Sequence, residues 1–250
     1  MNLIDRLRPT KEIDRRIFVF TVHKAASLGV YDVMRQVALT ERWPIHSANL
    51  KTPNLIEPED ISDTGFSKQL TRCSGFVGPV RLPVPVEGLL AEVDKVIIHL
   101  RDPRDVLVSM FFSWVYSHPG VDEGVRERHQ EHGIERFVMH EAIALKEKYQ
   151  LYIDNYLSLP QSTLLRYEDF VLDRPAWLQS FLEAAGANPD RGRYRKLASV
   201  NHAAGVTEEN VRAHIRKAAP GDHREKLEKS TIEKLNRRLE SVLTALDYTS

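Results

Sequence analysis

Residues 17–27 read Ile-Phe-Val-Phe-Thr-Val-His-Lys-Ala-Ala-Ser, a run that contains a strand, a turn and the start of a helix. Residues 17–22 are almost all apolar, β-branched or aromatic, which is typical of a strand buried on both faces of a parallel sheet. From Ser27 to Leu39, apolar residues recur at helical spacing, and Ser27 is placed to cap that helix. The run therefore predicts a strand–turn–helix unit of an α/β protein.

The same pattern recurs further along the chain. Val96–Leu100 predicts a second buried strand, and Asp102-Pro103 starts the helix that follows it, because proline suits the first turn of a helix. Thr163–Tyr167 predicts a third strand, followed by a helix from Trp177 to Ala185. Shorter signals predict a strand near Phe76-Val77, two helices within residues 121–157 and an amphipathic helix over Ile232–Leu246. This alternation predicts one α/β domain over residues 1–250, with helices on both faces of a mostly parallel central sheet in three layers.

Composition excludes several classes of function. The 250 residues contain 35 Lys+Arg and 35 Asp+Glu, for a formal net charge of +0. A protein that coats nucleic acid or an anionic membrane depends on a long-range positive field, so neither partner is expected. The one cysteine, Cys73, excludes an intrachain disulfide framework and a multi-cysteine metal site. A charged N-terminus and the lack of an apolar run of about 20 residues predict a cytoplasmic protein without a transmembrane segment.

Two of the predicted strands end in turns suited to an anion. His23–Ser27 combines small residues with Lys24, and it lacks the glycine spacing of a Walker A loop. Arg101–Asp105 follows the second buried strand and leads into the helix that carries Ser109. In a parallel sheet, ligands collect at the carboxyl ends of strands, beside the N-termini of the following helices. The alternatives are a solvated lysine in the first turn and surface ion pairs among the charges of the second.

Four motifs resemble those of the sulfotransferases that use 3′-phosphoadenosine 5′-phosphosulfate (PAPS). The run 18–27 resembles the family's 5′-phosphosulfate loop, Pro/His-Lys-x-Gly-Ser/Thr, and the run 96–109 is similar to its 3′-phosphate motif. Leu165-Arg166-Tyr167-Glu168-Asp169-Phe170 resembles the Tyr-Glu-Asp strand end near the adenine. The run 214–224 resembles the late Arg-Lys-Gly-x-x-Gly-Asp-Trp loop. The motifs follow the family's order, so the resemblance implies its P-loop-kinase-like fold and sulfuryl transfer from PAPS to a hydroxyl or amine, leaving the product PAP.

The resemblance also implies a role for each matching residue. Lys24 would bind the bridging region of the phosphosulfate, and Ser27 with the backbone of Ala25, Ala26 and Leu28 would hold the 5′-phosphate. The 3′-phosphate would be held by Arg101, Ser109, Arg216 and Lys217. Tyr167 would contact the adenine. This scheme requires no metal.

The sequence departs from the family at several of these positions. The loop glycine is Ala26, the position where many members carry an adenine-stacking tryptophan is Gly29, and His223 replaces a later tryptophan. The closest match to the family's His-Leu-Pro is Arg81-Leu82-Pro83, and an arginine cannot act as the general base. We therefore consider His46, Glu57 and Asp63 as the base, with His46 first because imidazole titrates near neutral pH. An acceptor that needs little deprotonation is the remaining alternative.

Two other functions remain open at this point. One is a P-loop-type nucleotide kinase, which the missing Walker A glycines disfavour. The other is a catalytically inactive module that binds PAPS or PAP, which Arg81 and Ala26 favour. The partner expected for an active enzyme is a small-molecule or glycan acceptor, whose identity the sequence does not define. It does not define the oligomeric state either.

Overall fold

The structure is a computed structural model that describes residues 15–46, 74–81, 83, 93–118, 120–189, 191–199 and 219–248. Five strands form its sheet: β1 (Arg16–Thr21), β2 (Ile45–His46), β3 (Gly75–Val80), β4 (Lys95–Leu100) and β5 (Ser162–Arg166). The helices before β5 are α1 (Ser27–Glu41), α2 (Pro103–Phe112) and α3 (Glu123–Tyr152). The later helices are α4 (Tyr167–Leu172), α5 (Arg174–Ala185), α6 (Arg191–Ala198), α7 (Asp222–Lys226) and α8 (Lys229–Ala245). Helices α2 and α3 each continue into a π-helical turn, Ser113–Ser117 and Ile153–Leu157.

The strand order is β2-β3-β1-β4-β5, and every pairing in this sheet is parallel. This confirms the predicted parallel α/β sheet. β1 lies at the centre, with Thr21 paired to His99 of β4 and Phe20 paired to Val80 of β3. The carboxyl ends of β1, β3 and β4 therefore lie side by side at the same end of the sheet.

Alternating side chains of β1 are buried on opposite faces of the sheet. Ile17 and Val19 join a core with apolar residues of α1 and α5, including Val33 and Trp177. Phe18 and Phe20 lie on the other face and are also fully buried. Burial on both faces explains the continuous apolar sequence of β1 and fits the predicted three-layer class.

The chain divides into two compact units. Residues 1–100 and 156–200 form the first, which we call the sheet unit because it contains all five strands. Residues 101–155 and 201–250 form the second, which we call the helical unit because its described part consists of helices and turns.

Most predicted elements are found, with small shifts at their ends. The two helices expected within residues 121–157 form α3, which breaks at Gly133, where φ is 72° and ψ is 169°. The sequence predicts a strand that ends at Tyr167, but β5 ends at Arg166 and Tyr167 begins α4. The prediction that Ser27 caps α1 is wrong, because Ser27 is the first helical residue and Ala26 occupies the cap position.

Candidate active site

The loop between β1 and α1, residues 22–26, has a strained backbone. Lys24 (φ 66°) and Ala26 (φ 57°) lie in the left-handed region, which costs a residue other than glycine about 1–2 kcal/mol. Ala25, between them, is fully buried. Left-handed residues in a short turn direct successive backbone N–H groups to one concave side, and such a concavity binds anions. The loop thus stores strain of the kind found at functional sites, in a shape suited to an anion.

Helix α1 begins directly after this loop without a side-chain cap. Ala26 at the cap position has no side-chain acceptor, and none of the residues in its first turn is acidic. The first N–H groups of a helix have no partner within the helix and carry a partial positive charge. The start of α1, with the half-buried Ser27 and the exposed Leu28, therefore extends the anion-binding surface of the loop.

The second turn, after β4, carries four buried charged side chains. Arg101, Asp102, Arg104 and Asp105 are all at least nine-tenths buried. Surface ion pairs, the alternative considered for the sequence, are therefore the wrong description. Arg104 binds Asp102 through Nη2 at 2.7 Å and also donates to the Tyr248 carbonyl at 2.8 Å. Asp102 in turn caps α2 by accepting from the backbone N–H of Arg104 at 2.8 Å. This pair stabilises the start of α2, whereas Arg101 has a different partner.

Asp105 joins Arg101 to the segment that follows residue 218. One carboxylate oxygen accepts from the Gly221 N–H at 2.7 Å and lies 3.6 Å from Nη2 of Arg101. The other accepts from the His223 N–H at 3.0 Å and from His223 Nδ1 at 2.7 Å. Burial acts to raise the pKa of Asp105, but the His223 hydrogen bonds and the Arg101 charge outweigh it and lower the pKa from 3.8 to about 2. Asp105 is therefore ionised and fixes the start of α7 to α2.

The comparisons with known proteins agree with this arrangement. The model of the family described as "Sulfotransferase domain" matches residues 84–247, well over half of the chain. The chain belongs to the sulfotransferase domain family. The match begins after the β1–α1 loop, so the assignment of that loop depends on its own sequence and geometry. A search of curated proteins finds no match.

Two solved structures show the same fold at low sequence identity. One is mouse sulfotransferase SULT7A1 complexed with PAP, which is 13% identical with a TM-score of 0.64, covering 95% of this chain and 89% of the other. The second is retinol dehydratase in complex with androsterone and inactive cofactor PAP, 14% identical with a TM-score of 0.50, covering 91% of this chain and 80% of the other. These likenesses confirm the sulfotransferase fold. None of the described helices of this sulfotransferase is long and apolar enough to cross a membrane.

The structure places the other predicted cofactor residues of this sulfotransferase as follows. Ser109 lies on α2, one helical turn beyond Asp105 and on the same helix face, and is half-buried. Tyr167 is buried at the start of α4, directly after β5, whose Arg166 pairs with Leu100 of β4. Arg216 and Lys217 lie outside the described residues, which resume at Ala219.

His46 does not lie level with the carboxyl end of β1, where the loop begins. It pairs with Val77 of β3, which pairs with Phe18 of β1, three residues before the end of β1. At about 3.3 Å per residue, His46 lies about 10 Å short of that end and two strands away. Its Nε2 lies 3.0 Å from the Ser74 carbonyl, which precedes β3. The ring is thus held toward the amino-terminal side of the sheet.

Arg81, by contrast, directly follows the last residue of β3, Val80, which pairs with Phe20 of β1. It is half-buried, and burial lowers the pKa of its guanidinium. An arginine stays protonated at neutral pH, so a cation directly follows the carboxyl end of β3. Glu57 and Asp63, the other bases considered, lie outside the described residues.

Two buried histidines, His99 and His223, have contacts that the local sequence pattern does not predict. In the sequence, His223 stands out only as a replacement for a tryptophan, whereas in the structure its Nδ1 donates to Asp105. In the sequence, His99 lies within an apolar strand, whereas in the structure its Nε2 lies 3.0 Å from the Ala25 carbonyl in the strained loop. The sequence does contain a signal for the contacts of His99: it is a polar residue within the apolar strand Val-Ile-Ile-His-Leu, and a buried polar side chain needs hydrogen-bond partners.

Proposed function

We propose that this sulfotransferase transfers a sulfuryl group from PAPS to a hydroxyl or amine acceptor. The observation that carries the proposal is the β1–α1 loop, where Lys24 and Ala26 are left-handed and α1 begins without a side-chain cap. That geometry suits a bound phosphate. The complex of the similarly folded mouse enzyme with PAP supports the identity of the donor.

The donor has two anionic ends, and two turns of this chain offer partners for them. We assign the 5′-phosphosulfate to Lys24, Ser27 and the backbone of Ala25, Ala26 and Leu28. We assign the 3′-phosphate to Arg101 and Ser109, together with Arg216 and Lys217, and the adenine to Tyr167. β1 and β4 are parallel neighbours, and Arg101 directly follows β4. Each turn directly follows the carboxyl end of a strand, which is where ligands of parallel sheets collect.

Lys24 has the chemical role in this scheme. PAPS supplies the sulfuryl group: the bond from sulfur to the bridging phosphate oxygen breaks, and a bond from sulfur to the acceptor forms. Negative charge then grows on the phosphate oxygen that leaves. A lysine ammonium beside that oxygen stabilises the transition state more than the ground state, which is the condition for catalysis.

The acceptor proton needs a separate route. Arg81 stays protonated at neutral pH and cannot receive it. We propose three candidates for the base, His46, Glu57 and Asp63. The hydrogen bond of His46 to Ser74 disfavours the first.

A catalytically inactive PAP-binding protein is the second candidate function. The observation that favours it is Arg81, which occupies the carboxyl end of β3 without being able to act as a base. This candidate shares the donor site but performs no transfer.

Binding and turnover distinguish these candidates. We expect isothermal titration calorimetry of the purified chain to show one site for PAP and none for ATP. The opposite preference would indicate a nucleotide kinase. Transfer of ³⁵S from labelled PAPS to a panel of phenols, alcohols, amines and glycans identifies an active enzyme, and PAP binding without transfer to any of them identifies the inactive module.

Lys24→Ala tests the assignment of the loop. We expect at least a 100-fold loss of kcat, about 3 kcal/mol of transition-state stabilisation, with an unchanged thermal melting temperature. Lys95→Ala is the matched control, because Lys95 lies at the amino end of β4, whereas the loop follows the carboxyl end of β1. An equal loss in both variants, or none in Lys24→Ala, would exclude the proposed role.

A further inference from the structure

The His99 side chain connects the β1–α1 loop to the interior of the sheet unit. His99 lies on β4 and is fully buried. Its Nε2 lies 3.0 Å from the carbonyl oxygen of Ala25, and its Nδ1 lies 3.3 Å from Nε1 of Trp177 on α5. One ring therefore bridges the loop that carries Lys24 and a helix packed on the sheet.

The two partners define which ring nitrogen of His99 carries the proton. The indole N–H of Trp177 can only donate, so Nδ1 must accept from it. The carbonyl of Ala25 can only accept, so Nε2 must donate to it. The hydrogen-bond pattern thus assigns a neutral ring with its proton on Nε2, directed at the loop.

Aromatic packing holds the ring of His99 in this position. The ring meets Trp177 edge to face, with centroids 5.5 Å apart and planes at 86°, and meets Phe170 of α4 at 5.5 Å and 62°. Phe170 and Trp177 pack against each other at 4.7 Å. With its neighbours fixed on α4 and α5, the donor on Nε2 has little freedom to follow a moving loop.

Ala25 is the residue of the loop where such a contact has the most effect. It lies between Lys24 and Ala26, the two left-handed residues. A strained backbone persists only where the surrounding structure determines it. A hydrogen bond to the carbonyl between these two residues opposes the relaxation of either one.

We propose that His99 is a positioning residue, which holds the Ala25 carbonyl and so keeps the β1–α1 loop in its anion-binding shape. The inference rests on the proposed function, because it states how the loop is prepared for the phosphosulfate of the donor. His99 acts through the backbone of the loop and takes no part in the transfer itself.

Three variants test this role. His99→Met removes the hydrogen bonds at similar volume, and His99→Gln keeps an N–H donor that can reach the Ala25 carbonyl. Phe76→Leu is the matched control, because Phe76 is a fully buried residue of the same core on β3, away from the loop. For His99→Met, we expect the Kd for PAP to rise about tenfold or more, the effect of one lost hydrogen bond. We expect His99→Gln to restore the Kd to within about threefold and Phe76→Leu to leave it unchanged while lowering the melting temperature.

Hydrogen exchange supplies a readout that needs no ligand. We expect the amides of residues 22–27 to exchange about tenfold faster in His99→Met than in the wild type, and at the wild-type rate in Phe76→Leu. An unchanged exchange rate and an unchanged Kd in His99→Met would overturn the inference, and so would equal changes in Phe76→Leu. A wild type that fails to bind PAP would instead refute the proposed function, and the exchange rates alone would then decide the role of His99.

A measurement on the wild type applies even where His99→Met does not fold. In ¹⁵N-labelled protein, the ring of His99 is expected to carry its proton on Nε2 in a long-range ¹H–¹⁵N spectrum. A proton on Nδ1 would mean that the ring does not donate to Ala25, and it would overturn the inference.

Discussion

At the scale of single residues, the route of the acceptor proton depends on Arg81 and His46. Arg81 lies at the end of β3, beside the loop of Lys24, but its guanidinium is a permanent cation. His46 could accept a proton, and burial lowers its pKa while the hydrogen bond to Ser74 opposes that shift. Its ring, however, is held toward the amino-terminal ends of the strands by the Ser74 carbonyl. His46 can therefore accept a proton but lies away from the loop, whereas Arg81 lies at the end of β3 but cannot accept one.

His46→Ala tests the base directly. We expect kcat to stay within about threefold of the wild type, since loss of a true general base lowers the rate by about 10²–10⁴-fold. The measurement is the steady-state transfer of ³⁵S from PAPS between pH 5 and 9, with the Kd for PAP as the control for folding. A loss of about 100-fold or more at unchanged PAP affinity would identify His46 as the base after all.

At the scale of elements, the sequence predicts regular structure well and the loop between β1 and α1 poorly. β1 and β4 are predicted because each is a short apolar run rich in β-branched residues, which is typical of a buried strand. The cap of α1 was assigned to Ser27 because local rules favour serine there. Those rules expect glycine at a positive φ, so an alanine gives no local sign of the left-handed backbone at Ala26. Contacts from distant parts of the chain, such as that of His99 with Ala25, determine the backbone conformation of this loop. The local sequence does not predict such contacts.

Ala26→Gly is predicted to stabilise the fold. Glycine removes the left-handed strain of about 1–2 kcal/mol and adds back about 0.5–1 kcal/mol of chain entropy on unfolding. We therefore expect a net gain of about 0.5 kcal/mol in the free energy of urea unfolding. Ala184→Gly makes the same chemical change inside α5 and should lose about 1 kcal/mol. A loss of equal size in both variants would contradict the strain assigned to Ala26.

At the scale of the whole molecule, equal numbers of acidic and basic residues do not show which charges are buried. The net charge of zero gives no indication that Arg101, Arg104 and two aspartates are buried within one turn. The chain passes between the sheet unit and the helical unit three times, and β4 of the first leads directly to Arg101 of the second. We therefore propose that residues 1–250 form one sulfotransferase domain, in which the buried charges contribute to global stability.

The stability of the molecule is predicted to fall in acid because of Asp105. Its folded pKa of about 2 lies below the unfolded value of 3.8, so the ionised form stabilises the fold. This contribution, about 2 kcal/mol, is complete above about pH 5 and is lost as the pH falls through 4 toward 2. Urea unfolding of the wild type and Asp105→Asn from pH 6 to 2 measures it. We expect the difference in unfolding free energy to be about 2 kcal/mol at pH 6 and to fall below about 0.5 kcal/mol at pH 2, because Asp105 is then protonated in the unfolded chain and about half protonated in the folded one. A difference that stays constant over this range would show that the contacts of Asp105 with Arg101 and His223 do not depend on its charge.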